Sequence, residues 1–224
     1  FPGFMCDHAL WDDMTGDLST LGTLHYADLS RPGDLDDWAR MLAEETEGPL
    51  ILAGFSMGGY VARRLAALVP ERVIAMALIG SSARGDTPER RERNRVAVAA
   101  QAARPYRGVS RKALSMALHE DLEKDSGLLD RMQGMSLRLG QACFLNQLSL
   151  EREDERPTLG GITVPTLVVA AESDRLRSLR EAEEMRDGIP GARLAVIEGS
   201  GHMMPIEKPD ELFALIRDFV AEQG

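Results

Sequence analysis

Four short, nearly unbroken apolar runs set the first limit on this chain: Leu50 to Ala53, Val73 to Ile79, Thr166 to Ala171 and Arg193 to Ile197, with Leu24 to Ala27 a weaker fifth. A strand exposed on one face alternates apolar and polar residues, whereas a strand covered on both faces reads as a continuous run. These segments therefore point to a parallel sheet flanked by helices. The intervening stretches agree. Met57 to Val69 has a helical pattern and stops at Pro70, and the last helix opens at Pro209-Asp210 with Leu212, Leu215, Ile216, Phe219 and Val220 on one face. Strand and helix alternate, which predicts a doubly wound α/β fold.

The alternation lapses between Arg84 and Pro157, where no strand-like run occurs and the pattern is helical. Within it Leu128, Met132, Met135, Leu139 and Ala142 recur at spacings of three and four, an apolar stripe that must cover something. We expect a helical cap over residues 84–157, inserted into a core made of residues 1–83 and 158–224. A chain of 224 residues is long enough for one sizeable core with such an insertion.

The formal net charge of −10 argues against nucleic acid as a partner, because phosphate binding needs clustered Lys and Arg on a basic surface. The one arginine-dense stretch, Arg84 to Arg111, is interrupted by Asp86, Glu89 and Glu92 and reads as a solvated helix face. Cys6 and Cys143 are too few for a disulfide framework and lack metal-site spacing, so both are expected as free thiols in a reducing compartment. No stretch approaches the roughly 18 apolar residues needed to cross a bilayer, and no basic segment followed by an apolar run opens the sequence. The expectation is a cytoplasmic protein that engages neither membrane nor nucleic acid.

The strongest local signal is Gly54-Phe55-Ser56-Met57-Gly58-Gly59, directly after one apolar run and directly before a helical segment. That context suits a G-x-S-x-G elbow, in which the small residues let the backbone turn sharply and expose the Ser56 hydroxyl at the strand's C-terminal end. A serine hydroxyl is a weak nucleophile until a base takes its proton, and histidine is suited because its unperturbed pKa lies near neutrality. His202, in the loop after the run Arg193 to Ile197, is the candidate base; His8, His25 and His119 lack such a placement. An acid must then orient the imidazole. Asp174, a few residues beyond the run Thr166 to Ala171, is that candidate, with Glu172 as its rival. The order Ser56, Asp174, His202 is the one found in α/β-hydrolases.

With these motifs in place, the chain resembles the small bacterial α/β-hydrolases over almost its whole length. Pro2 to Asp7 is similar to the family's oxyanion loop, Gly54 to Gly59 to its elbow, Pro165 to Asp174 to its acid segment and Gly199 to Pro209 to its histidine segment. The resemblance implies the α/β-hydrolase fold, and it implies that the backbone N–H groups of Phe4 and Met57 form the oxyanion hole. Two departures stand out. The family has a strand before its Pro-Gly loop, where this sequence begins at the loop itself, so that strand is expected in upstream residues. Relatives often carry a proline after the acid, where this chain has Arg175-Leu176-Arg177-Ser178.

The expected reaction is acyl transfer from a small carboxylic ester to water, without metal or organic cofactor. Met5, Met57, Met132, Met135, Met203 and Met204 suggest a yielding apolar pocket for a small-molecule substrate. Lactonases, thioesterases and carbon–carbon bond hydrolases share the same residues, and fold and triad together do not choose among them. An acyltransferase, and a ligand-binding protein with a little-used triad, stay open as readings of other classes. The sequence leaves the oligomeric state open.

Overall fold

The computed structural model describes residues 1–223. Strands β1 (Leu50–Phe55), β2 (Val73–Ile79), β3 (Thr166–Ala171) and β4 (Arg193–Ile197) form one sheet in that order, every neighbouring pair parallel. The helices are α1 (Thr15–Leu18), α2 (Leu35–Glu45), α3 (Met57–Leu68), α4 (Pro88–Ala102), α5 (Arg111–Ser115), α6 (Ser126–Ser149), α7 (Leu179–Gly188), α8 (Met204–Glu207) and α9 (Pro209–Ala221), with a 3-10 segment at His8–Met14. Three of the strands coincide with the apolar runs, and β1 continues two residues further to take in Gly54 and Phe55.

Side chains leave a strand alternately to either face, so each strand feeds two cores. Phe55, Ala75, Ala77, Ile79, Leu167 and Val169 pack on one side with the His8–Met14 segment and α9. Leu52, Met76, Leu78, Val168 and Ala170 pack on the other with α2, α3 and α7. Both faces are covered, which is why the runs show no polar alternation. Helix α2 starts cleanly because Asp34 and Asp37 form a reciprocal capping box, the Asp34 carboxylate accepting from the Asp36 and Asp37 amides at 2.9 Å each.

Leu24–Ala27 is not a strand among the described residues. It and Leu50–Ala53 both line a groove of about 570 Å³ at the β1 edge, and no ladder joins the two segments. A four-residue apolar run says that a segment is buried without saying what it pairs with, and here only Ala27 is buried. Phe1 does run beside β1: its nitrogen donates to the Ala53 carbonyl at 2.8 Å and its carbonyl accepts from the Phe55 amide at 3.0 Å. The Pro2–Asp7 loop is thereby fixed against the elbow.

Between β2 and β3 the described chain contains α4, α5, α6 and a 3-10 turn at Arg156–Gly161, joined by irregular links. The α6 stripe is shifted from its sequence register. Leu129, Met132, Met135, Ser136, Cys143 and Gln147 are buried, while Ala142 is exposed. The cause is Gly140, whose φ of 77° interrupts the helix and rotates its second half relative to the first.

Candidate active site

The elbow between β1 and α3 is strained at its centre. Ser56 has φ 51° and ψ −110°, a region that residues with a Cβ occupy at a cost of about 1–3 kcal/mol. Three bonds hold it there. The Ser56 amide donates to the Ile79 carbonyl at 2.8 Å, the Ser56 carbonyl accepts from Ser81 Oγ at 2.9 Å and from the Gly59 amide at 3.2 Å. The flanking glycines serve a different purpose from the one expected. Neither Gly54 nor Gly58 has a positive φ; each instead sits where a Cβ would collide with backbone. At Gly54 it would meet the Gly58 carbonyl at 2.8 Å, and at Gly58 the Phe1 and Pro2 carbonyls at 2.5 and 2.6 Å. Close approach, with the turn strain carried by Ser56 itself, is the reason for small residues here.

Ser56 Oγ lies 3.0 Å from His202 Nε2, and His202 Nδ1 lies 2.7 Å from Asp174 Oδ2. The pair of side chains in that second contact is only 6% and 2% exposed. A carboxylate can only accept, so the proton between them sits on Nδ1, leaving Nε2 to accept from the serine hydroxyl. Asp174 Oδ1 accepts from the Leu176 and Arg177 amides at 2.8 and 2.9 Å. The acid therefore folds its own loop around itself, which gives the segment a defined shape without the proline that relatives carry. His8, His25 and His119 lie elsewhere; the first two are exposed, and His119 Nδ1 accepts from the Asp121 amide at 3.3 Å.

Glu172 has its own task. Its Oε2 accepts from the Gly199 amide at 3.1 Å, and the Glu172 and Ser173 amides donate to the Ile197 and Ser200 carbonyls. It ties the β3 loop to the β4 loop. A second clamp, Glu207 on α8, escaped sequence reasoning: its carboxylate accepts from the amides of Met203 at 2.8 Å, Gly201 at 3.0 Å and His119 at 2.8 Å. The His202 amide donates to the Ala117 carbonyl at 2.8 Å. No local pattern marks Glu207, since its partners converge only through the fold.

Above the serine lies a cavity of about 450 Å³, lined by Phe4, Ser56, His202 and by five of the six methionines singled out in the sequence; Met204 lies in the core instead. The Phe4 and Met57 residues both border it, and among the described residues neither backbone amide is hydrogen-bonded within the chain. Met57 opens α3, where the first amides of a helix lack intrahelical acceptors. The next residue along the loop, Met5, has φ 54°, and its amide donates to Gln147 Oε1 at 2.8 Å. Gln147, 1% exposed on α6, donates in turn to the Leu29 carbonyl at 3.0 Å. Cys6 also borders the cavity, but burial and the neighbouring Asp7 charge push its thiol up to about 12, so it is no competing nucleophile at neutral pH.

Comparison with known proteins places this geometry in a family, the model of the alpha/beta hydrolase family matching residues 10–215. The chain belongs to the alpha/beta hydrolase family. It is 30% identical to a pimeloyl-[acyl-carrier protein] methyl ester esterase of Neisseria meningitidis, over 95% of this chain and 84% of that protein. Among solved structures it is similar to a thermophilic esterase of Thermogutta terrifontis, determined with malate bound, at TM-score 0.85 and 25% identity over 99% of this chain and 88% of that one. The enol-lactonase of Burkholderia xenovorans shares the fold, at TM-score 0.79 and 21% identity over 98% and 88% of the two chains. The protein is a hydrolase with the α/β-hydrolase fold. Among the described residues no helix is long and apolar enough to cross a membrane, and no cluster of His, Cys, Asp and Glu could hold a metal ion.

Proposed function

We propose that the protein is a serine esterase that cleaves a small carboxylic ester, with Ser56 as nucleophile, His202 as general base and Asp174 as the acid that orients it. The observation that carries this reading is the continuous contact Ser56 Oγ to His202 Nε2 to Asp174 Oδ2, at 3.0 and 2.7 Å, opening on a cavity. Residues 84–157 act as a cap that shapes this cavity, set on a core of residues 1–83 and 158–224. The esterase names of relatives in both sequence and structure support the ester over the other acyl substrates of the fold.

In the proposed cycle Ser56 Oγ attacks the ester carbonyl as His202 Nε2 takes its proton. The oxyanion is held by the Phe4 and Met57 N–H groups, donors free for the purpose, and each such donor is worth about 10²–10³ in rate. Collapse expels the alcohol, which takes the proton from His202. Water then attacks the acyl-enzyme with the same imidazole as base, and Ser56 leaves with the returned proton. Asp174 holds the imidazolium during both steps.

The test is hydrolysis of short p-nitrophenyl esters by the wild type and by Ser56→Ala. Loss of turnover on the order of a millionfold is expected. A Ser56→Ala protein that retained the wild-type rate would refute Ser56 as nucleophile, and a wild type inert on every ester would refute the esterase reading.

A further inference from the structure

The cavity over Ser56 carries an unexpected charge for a protein of net charge −10: Arg90, Arg93, Arg152 and Arg177 all line it. One carboxylate, Asp86, serves two of them, with Oδ1 at 2.9 Å from Arg90 Nε and 3.4 Å from Arg152 Nη1. Among the described residues, Arg93 and Arg177 have no carboxylate within 4.0 Å, while Arg175, also at the cavity, is taken up by Glu123 and by the Ser115 and Leu118 carbonyls. Burial, and the proximity of Arg177 and Arg152, hold the Arg90 guanidinium below its ordinary pKa.

The decisive residue is Arg152. It is 6% exposed and its Nε has no hydrogen-bond partner; the buried Nε of Arg177 has none either. A structural arginine in this same protein looks different. Arg63, 4% exposed and outside the cavity lining, spends Nε and Nη2 on Glu155 at 3.0 and 2.6 Å and Nη2 again on the Ser82 carbonyl at 2.9 Å. Buried guanidinium donors are costly to leave idle, and their planar fork matches a carboxylate or phosphate. These Nε atoms are themselves shut off from solvent, so it is the remaining guanidinium edges of Arg90, Arg93, Arg152 and Arg177 at the cavity wall that meet what enters it.

We propose that Arg90, Arg93, Arg152 and Arg177 form an anion subsite, and that the substrate is an ester bearing a carboxylate or phosphate group remote from the scissile carbonyl. This rests on the esterase reading above for the chemistry at Ser56, while the subsite itself rests on the arginines alone. Asp86 offsets one charge between Arg90 and Arg152, and among the described residues no carboxylate within 4.0 Å offsets Arg93 or Arg177, which leaves the site a net positive charge for the anion.

The experiment compares kcat/KM for three methyl esters at low ionic strength: neutral methyl hexanoate, monomethyl adipate, and methyl 4-phosphonobutanoate. At least one anionic ester is expected to be preferred tenfold or more, with the preference shrinking as salt is added. Which anion is favoured identifies the group. Arg177→Gln and the exposed Arg93→Gln should each cut the ratio several-fold, mainly through KM; Arg93→Gln guards against loss through misfolding, since it removes no buried contact. A wild-type ratio at or below one overturns the subsite even where methyl hexanoate is turned over. If none of the three is hydrolysed, the esterase reading falls and calorimetry with adipate and with inorganic phosphate judges the subsite: salt-sensitive binding lost in Arg93→Gln and Arg177→Gln upholds it, and no binding at millimolar anion overturns it.

Discussion

The C-terminal edge of the sheet and the helical segment between β2 and β3 both border the cavity, yet they are built to different standards. At the sheet edge the polar side chains that frame Ser56 and His202 are committed, although the buried Nε of Arg177 is not: Ser81 to the Ser56 carbonyl, Asp174 to His202 and two amides, Glu172 to Gly199, Glu207 to three amides. In the helical segment, α4 has no buried residue at all, α6 is interrupted at Gly140, and the buried Tyr106 hydroxyl and Arg152 Nε stand unpaired. The difference is one of how many constraints act on each group. Chemistry at a single oxygen needs atoms held to a fraction of an ångström, whereas enclosing an acyl chain needs only volume and a complementary charge.

The sharpest way to break this comparison is to place a nearly isosteric change on each side. Asp174→Asn keeps the size of the side chain and an oxygen for the Leu176 and Arg177 amides, but it gives up the charge beside His202. The amide can also present a donor to Nδ1 and favour the wrong tautomer. We expect kcat to fall by roughly 10⁴ with the fold intact by circular dichroism. Met132→Leu, equally isosteric and 3% exposed on α6, should change kcat/KM by less than about threefold and stability by less than about 1.5 kcal/mol. Comparable losses in the two variants would show that the helical segment is as tightly specified as the sheet edge.

How much of this was legible beforehand follows the same divide. The strands could be read because burial on both faces leaves continuous apolar runs, and the meeting of Ser56, Asp174 and His202 was suggested by their positions just past three of those runs. Leu24–Ala27 misled because a short apolar run records burial and not pairing. The α6 register was lost at Gly140, since a glycine in a helical pattern does not announce whether it will break the helix. Gln147 and Glu207 were invisible for a different reason. Gln147 meets Met5 across 142 residues of chain, and no periodicity encodes an encounter at that range. The arginines of α4 read in the sequence as a solvated face, and that Arg90 and Arg93 instead border the cavity depends on packing.

Gln147 is one place where the two regions touch, so it offers the next test. Its buried side chain holds the Pro2–Asp7 loop at the Met5 amide, adjacent to Phe4, while Arg138 of α6 grips the loop's other end through Asp7 at 2.7 Å. Gln147→Leu leaves the Met5 amide without an acceptor and the Leu29 carbonyl without a donor, costing about 1–3 kcal/mol of stability for each unpaired group. Displacement of the loop should also lower kcat by about ten- to a hundredfold with KM little changed. Gln147→Glu keeps an acceptor for Met5 while losing the donor to Leu29, so it should recover more of kcat than of stability. If both variants lost stability and kept kcat, the Gln147 bond would have no part in setting the proposed oxyanion loop.

The smallest effect lies in the two thiols, one in each region. Burial raises both, Cys6 in the Pro2–Asp7 loop to about 12 and Cys143 in α6 to about 11. At pH 8 the thiolate fractions are then about 10⁻⁴ and 10⁻³, so native alkylation by iodoacetamide should be slow for both and should accelerate as pH rises. Burial raises Cys143 the less of the two. It also sits three residues past the Gly140 break, in a helix whose local opening exposes it, whereas Cys6 is released only when the loop leaves the elbow. Pulse labelling read by mass spectrometry should therefore find Cys143 modified first. Equal rates would mean that the two regions open with equal ease, and Cys6 reacting first would invert the comparison, placing the looser packing beside the serine and not in the helices above it.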